Sequence, residues 1–328
     1  MLLRDLAPGP IDQVVLVRGA ERRRKKDGST FLRVTVGDRT GTVAAMVWDH
    51  AEELAEQLTP GAVVRARGTL EDSPRYGRQL KVEAWAPAPA GSYDPADLRD
   101  GPPRPFERME SDLEDLLDTV QDPHLRALLD AVLGADTETG AAFRIAPAAK
   151  RFHQAYQHGL LEHSLSVAQS VSAISATFPG IDREVAVTGA LLHDIGKLEA
   201  YTLDPDAPDM TDLGRLQGEI PLGYYRIRRL IEDLPGFPAA TAEAILHIIL
   251  SHHGTLEHGS PVVPCTREAT LVHMIDNLGG RLGSFDRLEK ELPPGAEWSG
   301  FDRALSGSAY FPHREGTGPG DSSDVAAA

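Results

Sequence analysis

GALLHDIGKLEA, residues 189–200, is the stretch on which the reading of this chain turns. Leu191, Leu192, Ile195 and Leu198 have the spacing of a helix that buries one side. His193, Asp194 and Lys197 interrupt that apolar run. A charged or polar group placed among such residues costs several kcal/mol unless a partner compensates it. The stretch therefore asks for a partner that histidine and aspartate can share.

Working outward, the surrounding chain is helical in pattern from residue 109 to about 285. Leu113, Leu116, Leu117 and Val120 fall at i, i+3, i+4 and i+7. PHLRALLDAVL, LLEHSLSVAQSVSAI, LGYYRIRRLIEDL, ATAEAILHIILSHHG and EATLVHMIDNLGGRL continue the pattern. Three of these segments carry ligand-type residues in apolar surroundings: His163, the pair His252 and His253, and Asp276. A lone histidine of this kind reads as a satisfied core imidazole. His, His-Asp, His-His and Asp on four successive apolar segments read as a metal site. Mixed imidazole and carboxylate donors favour Mn²⁺, with Fe²⁺, Co²⁺, Ni²⁺ or Zn²⁺ as alternatives, over Ca²⁺. The single cysteine, Cys265, excludes a disulfide framework and a cysteine-rich zinc site, and its scarcity fits the cytoplasm.

Residues 11–86 alternate apolar and polar side chains instead. DQVVLVRGAERR, TFLRVTVGD, GTVAAMVWD, VVRARGTLED and RQLKVEAWAP predict five strands, with one helix in HAEELAEQLTPG between the third and fourth. That order matches an OB-fold β-barrel. The expected architecture is multidomain α+β: an OB-fold domain over 1–87, a Pro-rich linker over 88–108, an all-α domain over 109–312 and a disordered tail over 313–328. Residues 1–87 hold 14 Lys/Arg against 12 Asp/Glu, whereas the remainder of a chain with net charge −16 is strongly acidic. A polyanion would be repelled least by the first part. OB-folds bind single strands by stacking bases on aromatics beside basic residues. Candidates are Phe31, Trp48 and Tyr76 with Arg33, Arg65, Arg67, Arg75, Arg78 and Lys81. Phe31 and Trp48 read equally as barrel core, Trp48 the more so. No apolar run approaches the ~20 residues of a membrane helix, and MLLRDLAPGP lacks the apolar region of a signal peptide.

LLEH, LLHDIGK, ILSHHG and MIDN together resemble the HD-domain metal-dependent phosphohydrolases, a helical superfamily. FHQAYQHGLLEHSLSV, ILSHHGTLEHGSP and AYFP extend the resemblance to the YhaM-type 3′–5′ exoribonucleases, which join an N-terminal OB-fold to an HD domain. The resemblance implies that His163, His193, Asp194 and Asp276 bind a first ion, and that Asp194 bridges to a second held by His252 and His253. It also implies a histidine after Leu222-Gly223, where this chain has Tyr224, a poor ligand at neutral pH. The second site is therefore weak, differently ligated or empty.

The expected reaction is hydrolysis of phosphodiester bonds in single-stranded RNA or DNA by water activated at a metal. Polarity from the 3′ end is implied by the resemblance alone. Asp194 and Lys197 are the expected catalytic residues, Lys197 sharing a helix face with His193 and reaching a phosphate oxygen. His153 is a candidate substrate contact. So is Arg281, five residues after Asp276 and roughly on its side of the helix; pairing with an acid is its alternative. A phosphohydrolase of small nucleotides and a non-catalytic strand-binding protein with a decayed site stay open, as does a homo-oligomer.

Overall fold

The computed structural model describes residues 2–24, 28–73, 77–150, 154–204, 207–292 and 295–312. Strands β1 (Gly9–Arg24), β2 (Thr30–Asp38) and β3 (Gly41–Val47), helix α1 (Ala51–Gln57), and strands β4 (Val63–Ser73) and β5 (Gly77–Pro87) follow in order. The strands close into a barrel in the sequence β1-β2-β3-β5-β4. β3 and β5 run parallel and the other neighbours antiparallel. Alternation supplies the core: Val15, Val17, Leu32, Val34, Val36, Val43, Ala45, Val47, Val64 and Ala66 all point inward. Closure needs a sharp bend, made by a bulge at Arg67–Gly68 opposite β5. A Cβ at Gly68 would stand 2.1 Å from the Lys81 carbonyl oxygen, so only glycine fits there.

The Pro-rich stretch after the barrel is folded against it. Asp94 caps the short helix α2 (Pro95–Leu98), accepting from the Ala96 amide. Leu98 is buried, the Arg18 guanidinium donates to its carbonyl at 2.8 Å, and the Arg39 amide donates to the Asp97 carbonyl. The next helix starts at residue 106, inside the stretch expected to be linker.

That helix is α3 (Phe106–Asp118), followed by α4 (Pro123–Leu133), α5 (Glu138–Ile145), α6 (Gly159–Ser175), α7 (Arg183–Leu192), α8 (Lys197–Ala200), α9 (Asp212–Gln217), α10 (Glu219–Asp233), α11 (Ala239–Ser251) and α12 (Arg267–Glu291). Leu113, Leu116, Leu117 and Val120 are buried as their spacing predicts. They join Leu129, Leu161, Leu165, Leu191, Ile248 and Val272 in one continuous core. Four helices, α6, α7, α11 and α12, pack on one another at its centre. The far end of α12 reaches the barrel side, where Lys290 pairs with Asp100 at 3.3 Å. Among the described residues, no helix is long and apolar enough to cross a membrane.

The opening stretch is not one helix. α7 ends at Leu192, residues 193–196 form a turn, and α8 begins at Lys197. His252 and His253 likewise follow the last residue of α11. Both pairs stand on turns at helix C-termini, where the last backbone carbonyls lack intrahelical donors. The side chains supply them: His193 Nδ1 bonds the Ala190 carbonyl at 2.7 Å, and His252 Nδ1 bonds the Ile249 carbonyl at 2.8 Å. Each ring is thereby fixed with Nε2 pointing away from its helix end.

Candidate metal centre

Nε2 of His163, on α6, lies 3.2 Å from Nε2 of His193 and 3.1 Å from both Asp194 Oδ2 and Asp276 Oδ1. His193 Nε2 is 3.3 Å from Asp194 Oδ2 and 3.8 Å from Asp276 Oδ1. Four side chains from two helices, α6 and α12, and the turn after α7 thus converge within contact distance. On the other side of Asp194, His252 Nε2 stands 3.5 Å from Oδ1. His253 and Glu219 complete a second group, in which one donor atom from each of Asp194, Glu219, His252 and His253 lies within 4.8 Å of the others. Asp194 belongs to both groups.

The environment suits a cation. His193, Asp194 and His252 are 1–3% exposed. Asp194 Oδ1 and His252 Nε2 are buried with no hydrogen-bond partner, a cost that an ion between them would remove. Burial opposes charge on His193, but Asp194 and then Asp276 outweigh it, and its pKa is pushed up to about 10. The same contest, with the same two carboxylates, raises His163. Burial also opposes ionisation of Asp194 and Asp276. Lys197 and His193 nevertheless hold Asp194 well below the usual carboxylate range, and His163 and His193 do the same for Asp276. Protons and a cation therefore compete for the same imidazole atoms. His252 differs: burial lowers its pKa and leaves the neutral ring that a metal requires.

Ring orientation is fixed from behind, as ligating histidines need. Gln154 Oε1 faces His163 Nδ1 at 3.1 Å, and His253 Nδ1 bonds the His258 carbonyl at 2.9 Å. His273 Nδ1 bonds the His252 carbonyl at 2.7 Å. Lys197 does not share a continuous helix with His193; its ammonium sits 2.7 Å from Asp194 Oδ2. Burial works against that charge, but Asp194 and then Glu219 outweigh it and raise its pKa far enough to keep it an ammonium at any ordinary pH.

All six ligand candidates read from the sequence, His163, His193, Asp194, His252, His253 and Asp276, are brought together. Glu219 was missed, although it opens the very segment in which Tyr224 stands out. Tyr224 packs on the helical core, with its phenol against Arg228, and is not among the converging donors. Arg281 does not share the side of Asp276: five residues turn a helix by about 140°, and Arg281 is exposed while Asp276 faces the cluster. His158 bonds the Arg144 carbonyl and packs on Phe106. His153 lies outside the described residues.

On the barrel, Leu32 and Val34 point inward and Phe31 and Arg33 outward. Trp48 is not core: it is 52% exposed and stacks on Phe31, with ring centroids 4.8 Å apart and planes at 23°. Val43, Ala45 and Val47 fill the inward positions of β3, so the next residue faces out. Arg78 is committed elsewhere. Its guanidinium donates to the carbonyls of Leu3, Arg4 and Leu6, clamping the N-terminal segment. Arg65 and Arg67 pair with Asp12. Tyr76 and Arg75 lie outside the described residues.

These folds and this donor set define a two-domain class: an OB-fold domain followed by an HD domain. Family models agree, an OB-fold nucleic acid binding domain matching residues 15–88 and an HD domain matching residues 160–280. Across most of its length the chain is homologous to the 3′-5′ exoribonuclease YhaM. It is 28% identical to that of a Geobacillus species over 87% of this chain and 86% of the relative. The figures are 27% for Bacillus subtilis, over 87% and 89%, and 26% for Shouchella clausii, over 92% of each.

Proposed function

We propose that this chain is a metal-dependent 3′–5′ exoribonuclease that shortens single-stranded RNA in the cytoplasm. The observation carrying the reading is the shared carboxylate. Asp194 stands between two groups of donors, and its buried Oδ1 has no hydrogen-bond partner. His163, His193, Asp194 and Asp276 would hold one divalent ion, for which Mn²⁺ suits the donors best. A bound ion supplies a water of lowered pKa and a Lewis acid for a phosphoryl oxygen.

The chain's own residues do the rest. His193 and His163 would give up their protons to hold that ion. The backbone carbonyls behind His193 and His252 hold each ring in one tautomer. Lys197 stays an ammonium, so it acts as a fixed positive charge beside Asp194 rather than as a base. There it can favour the negative charge that grows on phosphorus-bound oxygens in the transition state. Phe31 and Trp48 offer a stacked aromatic platform, with Arg33 on the same outward face, for unpaired bases. The 3′ polarity, the RNA preference and the Mn²⁺ assignment are supported by the named relatives and the donor chemistry. Incubation of 5′-labelled single-stranded RNA with Mn²⁺ should give a ladder shortened from the 3′ end and mononucleotide product, abolished by chelator. Hydrolysis of free nucleotides with RNA left intact would overturn the reading.

A further inference from the structure

The segment in which the resemblance expects a histidine carries Tyr224, yet the cluster on that side is not missing a donor. We infer that Glu219 replaces the absent imidazole, so that Asp194, His252, His253 and Glu219 hold a second divalent ion beside the first. The inference rests on the metal-dependent reading above and assigns a ligand to a residue which that reading does not use.

Glu219 is the first residue of α10. An acid in a first helical turn ordinarily faces water and gains only a weak interaction with the helix dipole. Here the side chain is 17% exposed and turned to His253, with Oε1 3.4 Å from Nε2. The backbone is built to bring it in. A Cβ at Gly196, within the His193–Lys197 turn, would stand 2.0 Å from the Glu219 carbonyl oxygen and 2.5 Å from the Gly223 nitrogen. That turn is therefore pressed onto the first turn of α10 as no other residue would allow. Gly218, at φ +79°, makes the corner that starts the helix.

Two observations point to an ion rather than to a simple ion pair. The group contains two buried atoms with no hydrogen-bond partner, Asp194 Oδ1 and His252 Nε2. Its four donor atoms lie within 4.8 Å of one another, close to the ~4.2 Å that separates opposite ligands about 2.1 Å from one ion. Two imidazoles and two carboxylates, one of them shared with the first group, also suit Mn²⁺ or Fe²⁺. Tyr224 has another role, packing on the core with its phenol against Arg228.

The test is the number of ions held by the full chain, read by elemental analysis after desalting from Mn²⁺ and by the EPR spectrum. Wild type should hold two ions per chain, exchange-coupled through the shared Asp194 carboxylate. Glu219→Gln should hold one, with an uncoupled spectrum, and the retained first ion shows that the cluster is still folded. Should that variant not fold, Glu219→Asp should weaken the second ion about tenfold or more and leave the first in place. Tyr224→Phe should keep both. Two ions in Glu219→Gln, loss of the second ion in Tyr224→Phe, or a single ion in wild type would each overturn the Glu219 assignment. A wild type that binds no divalent ion would overturn the proposed function as well.

Discussion

Replacing Asp194 by asparagine tests the cluster on two readouts that should separate. Asp194 is 3% exposed, and its Oδ2 lies 2.7 Å from the ammonium of Lys197, a side chain only 14% exposed. Removing one member of a buried ion pair leaves the other charge uncompensated and costs about 3–5 kcal/mol. A domain of 150–250 residues loses about 2–4 °C of melting temperature per kcal/mol, so chelator-treated D194N should melt roughly 6–20 °C below chelator-treated wild type. Asparagine also removes the carboxylate common to both donor groups, so bound Mn²⁺ and RNA hydrolysis should be lost together. The double variant D194N/K197M removes the stranded charge as well. It should regain most of the melting temperature and none of the metal or activity. Melting curves with and without chelator, beside a hydrolysis assay, distinguish the three proteins. A D194N protein that melts within a degree or two of wild type, or that still degrades RNA, would refute the reasoning.

Proton competition sets a pH dependence. The raised pKa of His193 means that its contribution to stability is complete below pH ~6.5 and is lost as pH climbs through about 10. The depressed Asp194 and Asp276 contribute above the usual carboxylate range and fail as pH falls below it. Metal-free protein should therefore lose melting temperature from pH 6.5 upward, while Mn²⁺-loaded protein holds it because the ion takes the proton's place; parallel curves would contradict this. Trp48→Ala should weaken single-stranded RNA binding about 5- to 150-fold, from ~1–3 kcal/mol of stacking, with little change in melting temperature given the exposure of Trp48; an unchanged Kd in a fluorescence titration would remove the platform. Gly196→Ala must push the His193–Lys197 turn off α10, and metal titration should show the second ion lost before the first.

Much of the fold is legible in the sequence because its signals are periodic or paired. Period-two alternation places Val34, Val36, Val43 and Ala45 in a barrel, and the i, i+3, i+4, i+7 spacing places Leu113 to Val120 in a helical core. The candidate ligand set is legible because several imidazoles and carboxylates buried on separate apolar segments are costly unless a shared cation compensates them. Where sequence and structure part, the causes are specific. The size of Trp48 suggests core, although the parity of Val43, Ala45 and Val47 already turns it outward. Arg281 is near Asp276 in sequence, but the helical angle separates them. Glu219 is not legible because its position follows from a tertiary contact. The approach of Gly196 to the start of α10 joins segments more than twenty residues apart, and no local pattern encodes it.

The central claim, that these side chains converge on bound divalent ions, is tested most directly by anomalous diffraction at the manganese edge from crystals grown with Mn²⁺. The account predicts one peak enclosed by His163, His193, Asp194 and Asp276, and a second across Asp194 toward His252, His253 and Glu219. A map with no anomalous density against Asp194 would contradict it.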